Sequence, residues 1–299
     1  MSKKIPVYYS EKLLSDSQSL ISPSSMKPKA LVEQLLQRNY PIEVIAPKPL
    51  ARTDFYRAHD KQFVDDVLDC KADNGFSNRS PSVAASLPFT AGALYDAALM
   101  AKPDMPCAAL VSGFHHSGWN FNGGFCSLNG ILASALRLME EHNKKIAILD
   151  LDQHFGDGSF SILDKLNLHD KILHITFGKY FNNPTHAQKY LNALDDAKEA
   201  MRKFKPDILL CQLGADASKD DPYGGVLSVE QLFIRDHRVF SMCKELGISM
   251  CWDLAGGYQV PVQKVLDIHL NSFQACMKVY KIDNDNDDGS TKIYKRKPL

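Results

Sequence analysis

The chain has 299 residues, 44% of them hydrophobic and 23% charged, enough apolar side chain to bury a sizeable core. That composition excludes intrinsic disorder, a collagen-like repeat and a small disulfide-stapled scaffold. Lysine plus arginine equals aspartate plus glutamate at 35 each, so no basic excess calls for nucleic acid or an anionic membrane, and a small or neutral ligand fits better.

The N-terminal MSKKIPVYYS carries two lysines but no apolar stretch of signal-peptide length, and no later segment is expected to reach membrane-spanning length. The seven cysteines, at 70, 107, 126, 211, 243, 251 and 276, are scattered without a CxxC pair, as reduced core thiols would be. A soluble, cytoplasmic chain without a membrane or nucleic-acid partner is expected.

Short apolar or β-branched runs at 42–46, 107–112, 146–151, 172–176, 208–212 and 248–252 read as buried strands. Between them, 127–142, 187–204 and 228–246 have helix length and helix-compatible spacing. Strands alternating with helices imply an α/β fold, a mostly parallel sheet covered on both faces. Segment 73–88, rich in Ser, Asn and Pro, reads as a long surface loop near the mouth of the site. The end of the chain, 283–299, runs from acidic to basic with no apolar face and reads as a mobile tail on a single domain spanning 1–282.

In open α/β sheets the loops leaving the carboxyl ends of the strands build the site. Four such loops carry glycine together with His, Asp or Tyr: GFHHSGWNFNGGFCSLNG, DQHFGDGS, LGADASKDDPYGG and DLAGGYQ. Alternate residues of an extended segment project to one side, so Asp150, Asp152 and His154 form a polar row. Burying that row costs several kcal/mol unless something pairs it, and a divalent metal would. Asp152 and His154 are the best-placed ligands, with Asp221 a candidate third. Three protein ligands and an open position describe a catalytic zinc site, and a set without thiolate leaves Fe²⁺ open. By itself DxDxH more often describes a solvated turn with an incidental histidine; its place after IAIL and before Gly156-Asp157-Gly158 favours the metal.

His115 and His116 are adjacent in a glycine-flanked loop. Either can be a surface or carbonyl-bonded histidine, yet with Asp150 and Asp157 they form candidate His–Asp pairs supplying a general base and acid. Tyr258, after Gly256-Gly257, either packs on the sheet or offers its hydroxyl to an oxyanion. Gly124 and Phe125 offer an aromatic wall.

Taken in order, these four loops resemble the histone deacetylase family, which includes acetylpolyamine and acetoin-utilisation relatives. YRAHDKQFVDDV and LPFTAGALYDAALMA extend the resemblance over most of the chain. It implies an arginase-like fold, one open parallel sheet of about eight strands with helices on both faces. It implies Asp152, His154 and Asp221 as zinc ligands, His115 paired with Asp150, and His116 as general base paired with Asp157. Tyr258 would polarise the amide carbonyl, while Gly124 and Phe125 would line an acyl-lysine tunnel. A potassium ion would lie against Asp150, Asp152, His154, Thr176 and Phe177.

Three departures stand out. Phe155 occupies a place where many members have a second histidine; GKYFNNPTHA lacks the glycine-rich turn beside the opposite wall, leaving Tyr180 and Phe181 both open for that role; and 73–88 offers no clear counterpart of the family's rim acid. The expected activity is metal-dependent removal of an acyl group, acetyl first, from the ε-nitrogen of lysine in a peptide or protein. The alternatives are an acylpolyamine or other small-molecule amidohydrolase, an arginase-type ureohydrolase, or a catalytically silent acyl-lysine binding module.

Overall fold

The apolar runs 146–150 and 208–212 lie side by side and parallel, Ile146 opposite Ile208 and Asp150 opposite Gln212. Along each, successive side chains alternate between two cores: Ile146, Ile148, Ile208 and Leu210 face one, Ala147, Leu149, Leu209 and Cys211 the other. A sheet apolar on both faces must be covered on both, which is why its strands read as unbroken hydrophobic runs.

The computed structural model describes residues 3–16, 25–178, 180–181 and 183–283. Among these, seven strands form one parallel sheet: β1 (Ile5–Tyr8), β2 (Ile42–Ile45), β3 (Cys107–Ala109), β4 (Ile146–Asp150), β5 (Leu173–Thr176), β6 (Ile208–Gln212) and β7 (Ser249–Asp253), in the order β2-β1-β3-β7-β6-β4-β5. On one face lie α1 (Lys27–Gln37), α7 (Ala187–Phe204), α8 (Val229–Leu246) and α9 (Gln263–Tyr280). On the other lie α2 (Arg52–Phe55), α3 (Lys61–Leu68), α4 (Pro81–Met100), α5 (Gly130–His142) and α6 (Asp157–Lys165). The expected α/β architecture is therefore present, with seven strands in place of about eight. All seven cysteines are unpaired and six are buried. The expected tail lies outside the described residues from 284 onward.

Three expectations are corrected. β1 falls outside the six expected strands: IPVY is short and contains proline, and pairing with β2 and β3 on its two sides makes it a strand. Segment 73–88 is a loop only to residue 80. The Ser80 hydroxyl accepts the N–H of Val83, Pro81 occupies the first turn, and the helix runs on through Pro88 because its downstream apolar residues are buried. That same helix, α4, is 20 residues long and apolar enough to cross a membrane by composition, contrary to the sequence reading. Its Ala91, Ala93, Leu94, Ala97 and Ala98 are buried in the core, and this packing accounts for its hydropathy.

The register sets the site's floor. Thr176, Asp150, Gln212 and Asp253 stand in a row across β5, β4, β6 and β7 at their C-terminal ends. The last three are buried, so the sheet carries a polar edge beneath the loops that follow it.

Candidate active site

The loop from β3 to α5 carries both histidines and is fastened from behind. The N–H of Phe114 donates to Gln212 Oε1 at 3.1 Å. Buried His59 accepts the Asn129 N–H on Nε2 at 2.8 Å, so its proton is on Nδ1, which donates to the Gly118 carbonyl at 2.7 Å. Burial pushes His59 down to about 4, which keeps it neutral in this role.

His115 Nδ1 meets Asp150 Oδ2 at 2.7 Å in full burial, and His116 Nδ1 meets Asp157 Oδ1 at 2.6 Å nearer solvent. The two rings lie 4.1 Å apart. Burial opposes charging His115, but Asp150 and Asp152 outweigh it and push it up to about 10. Asp157, although half-buried, is held below the usual carboxylate range by the His116 hydrogen bond. In both pairs the acid orients the ring through Nδ1; the His115 Nε2 faces Asp152 Oδ1 at 3.6 Å, whereas the His116 ring lies nearer solvent.

Asp152, His154 and Asp216 each offer a ligand atom within 4.8 Å of the others, a group that could hold a metal. His154 Nδ1 lies 3.1 Å from both Asp152 Oδ1 and Asp216 Oδ2. Burial and the neighbouring Asp152 carboxylate push Asp216 up to about 7. Two buried carboxylates and one imidazole converge on one point, and these oxygen and nitrogen donors fit zinc or Fe²⁺. Asp221, expected as the third ligand, borders this group without belonging to it. Its Oδ2 accepts the N–H of Tyr258 at 2.8 Å and its Oδ1 that of Tyr223 at 3.1 Å. The N–H of Gly256 reaches Asp152 Oδ2 at 2.8 Å; a Cβ there would sit 2.3 Å from Asp216 Oδ2, so glycine is required for this approach.

Above this floor a cavity of about 10 Å³, room for one water, is bounded by His115, Gly124, Phe125, Asp152, Gly256 and Tyr258. The Tyr258 hydroxyl is pushed up by burial and by the carboxylates of Asp152 and Asp216, so it is a neutral donor at physiological pH. Gly124 (φ 53°) and Phe125 (φ 65°) both take left-handed backbone; a Cβ at Gly124 would lie 2.5 Å from the His116 ring. Phe125 holds its posture by donating its N–H to the Gly75 carbonyl at 3.0 Å, with the Phe76 ring 5.7 Å away.

Of the two residues open for the second wall, Phe181 packs inward on Phe177 and Tyr190, and Tyr180 is 63% exposed; Lys179 and Asn182 lie outside the described residues. For the expected monovalent site, the Phe177 N–H donates to the Asp150 carbonyl at 2.9 Å, and Gly178 abuts the His154 carbonyl, so 150–154 and 176–178 adjoin.

Sequence reasoning passed over Asp216, Gln212 and Tyr223. Each lies inside or beside a quoted motif, and only the fold sets Asp216 against His154, Gln212 at the Phe114 N–H and Tyr223 against Tyr258. Buried Lys27 was also missed; its Nζ donates to the Ala255 carbonyl at 2.5 Å, and burial lowers it to about 8.

A model of the histone deacetylase domain matches residues 22–177 and 168–273. Histone deacetylase 2 of Arabidopsis thaliana is 28% identical over 172 residues, 52% of this chain and 44% of that protein. Acetylpolyamine amidohydrolase 1 of Pseudomonas aeruginosa is 25% identical over 292 residues, 73% of this chain and 81% of that protein. The chain thus spans less than half the length of the plant relative and most of the bacterial one. Among solved structures, the HDA15 HD domain superposes with a TM-score of 0.73 at 18% identity, covering 93% of this chain and 90% of its own. An acetylpolyamine aminohydrolase from Burkholderia pseudomallei gives 0.69 at 18% identity, covering 92% and 99%. With the fold and most of the chain matched, this protein belongs to the histone deacetylase family.

Proposed function

We propose that the chain is a metal-dependent amidohydrolase that removes an acyl group, acetyl first, from the ε-nitrogen of a lysine side chain. The observation that carries this reading is the convergence of two histidine–carboxylate pairs on a carboxylate–imidazole group facing Tyr258. Asp152 and His154 would hold a divalent ion, zinc first and Fe²⁺ second, with a third carboxylate from the loop after β6: Asp221 by motif, Asp216 by packing. Bound there, the ion supplies Lewis acidity toward the amide carbonyl and the attacking water.

His116 takes the proton of the attacking water while Asp157 keeps its Nδ1 protonated. The Tyr258 O–H donates to the carbonyl oxygen as negative charge develops. The histidine pair returns the proton to the departing amine, which also gains the proton of the new carboxyl group, so amide and water become carboxylate and alkylammonium. A potassium ion against Asp150, Asp152, His154, Thr176 and Phe177 belongs to the same proposal. So does a cytoplasmic setting, which the unpaired cysteines suit.

The bacterial relative aligned over most of its length favours a second reading, in which the amine is an acetylated polyamine. Metal analysis combined with turnover of acyl-lysine peptides of rising chain length and of acetylated polyamines tests both. Hydrolysis of acetyl-lysine peptides at about one metal per chain supports the first reading. A clear preference for polyamines replaces it with the second, and no hydrolysis of either by metal-loaded protein sinks both.

A further inference from the structure

We infer that Arg235, on α8, is the positioning residue that sets the gap between the two loops bearing Asp152 and Asp216, and through that gap the tightness of the metal site; this rests on the metal-holding part of the reading above. At the carboxyl ends of β4 and β6 the Leu151 N–H donates to the Gln212 carbonyl at 3.0 Å. Just beyond that bond the two chains present their acids. Leu151 immediately precedes Asp152, and Gly214 stands two residues before Asp216. Arg235 Nη1 donates to both of their carbonyls, to Leu151 at 3.3 Å and to Gly214 at 2.8 Å. The loops are pressed together at the same point. A Cβ on Gly214 would lie 2.9 Å from Asp152 Cα, and the Gln153 N–H donates to Asp216 Oδ1 at 3.2 Å. A change in the gap is therefore passed directly to the side chains converging on His154.

Arg235 is itself held from behind. Its side chain is wholly buried, and its Nε donates to Asp236 Oδ1 at 2.7 Å. The hydroxyl of Ser272, on α9, donates to the other oxygen of Asp236 at 2.5 Å. Tyr190, on α7, adds its hydroxyl to the Leu151 carbonyl at 3.3 Å. Three helices thus brace one fork between two loops. Asp236 neutralises the guanidinium, so the pair brings little net field to the site and acts through geometry. For stability alone such a pair is a poor choice, because two buried charges lose their hydration and well-packed apolar residues fill the same volume at no greater cost. What apolar residues lack is a planar fork of donors that fixes the spacing of two backbone carbonyls. Partners outside the ligand set that orient a metal site in this way tune its affinity.

The test titrates metal-stripped full-length protein with zinc against a competing chelator, and with Co²⁺, whose visible absorption reads ligand geometry. Arg235→Lys keeps the charge, but an ammonium cannot reach Asp236 and both carbonyls at once. Its zinc dissociation constant should rise by about 10–100-fold, the usual effect of removing an outer partner of a metal site, and its cobalt bands should shift. Ser272→Ala loosens only the brace on Asp236 and should fall between Arg235→Lys and the parent; it carries the test by itself if Arg235→Lys does not fold. Leu138→Ala, a buried truncation in α5 on the opposite face of the sheet, controls for lost stability and should bind zinc like the parent. Urea denaturation of the metal-free proteins ranks their stabilities. Parent-like zinc binding and cobalt bands in the folded variants, or a loss of affinity that Leu138→Ala reproduces, overturns the assignment. Because binding is read without turnover, weakened zinc in variants of a protein that hydrolyses no acyl-amine would keep Arg235 in its role and discard the hydrolase.

Discussion

The Phe114 N–H donates to Gln212 Oε1 at 3.1 Å, so the loop presenting His115 and His116 hangs from the polar row at the end of the sheet. Gln212 is wholly buried and lies in register between Asp150 and Asp253. Gln212→Met keeps the volume and leaves the Phe114 N–H unpaired, a loss of about 1–3 kcal/mol. Urea denaturation should register that loss, and turnover should fall several-fold through displacement of His115. Unchanged stability and turnover together would show that the bond positions nothing.

Metal retention discriminates between the two candidate third ligands. Asp152→Asn and His154→Ala should each release the ion, read as metal per chain after dialysis. Asp221→Asn should lose much of it. Should Asp216→Asn lose the ion while Asp221→Asn keeps it, the third ligand is the inner carboxylate, the one that already lies 3.1 Å from His154 Nδ1.

His116→Ala should abolish turnover, with a fall of about 10²–10⁴-fold for loss of a general base, while the metal stays bound. Tyr258→Phe removes only a hydroxyl, so kcat should fall by far more than KM rises if that group acts on the developing oxyanion. Steady-state kinetics on an acyl-lysine peptide decide both. Parent-like rates in the His116 variant would remove it as base.

His59 gives the fold an acid-sensitive joint. Free in the unfolded chain its imidazole takes a proton near pH 6.5, whereas in the folded chain it resists down to about 4. Acidification through that window therefore favours the unfolded state, by about 3 kcal/mol at its lower end. Denaturation midpoints at pH 7 and pH 5 should differ more in the parent than in His59→Gln, whose side chain does not titrate. Equal pH sensitivity of the two proteins would refute the assignment.

Much of this was legible in the chain itself. The strands at 146–150 and 208–212 were readable because burial on both faces leaves unbroken apolar runs, and α7 because its ends coincide with its amphipathic spacing. The hydrogen bonds His115–Asp150 and His116–Asp157 are the pairings that the family resemblance implies; sequence position alone shows only two adjacent histidines and two spare carboxylates in loops beyond strand ends. What escaped depended on tertiary context. Pro88 argues locally against a helix, and only the buried surface of α4 overrides it. Asp216 and Asp221 are five positions apart in one loop, and their spacing alone does not say which one approaches His154.

The backbone of Phe125 is bent into a posture unusual for a bulky residue and is bolted to Gly75, in a segment outside the reacting centre. In the proposed hydrolase the bore of the entrance would thus be inherited partly from an outlying strut. Drift in residues 73–79 would ream or tighten the passage while His115, His116 and Tyr258 stay as they are, a dial for selectivity separate from the one for rate.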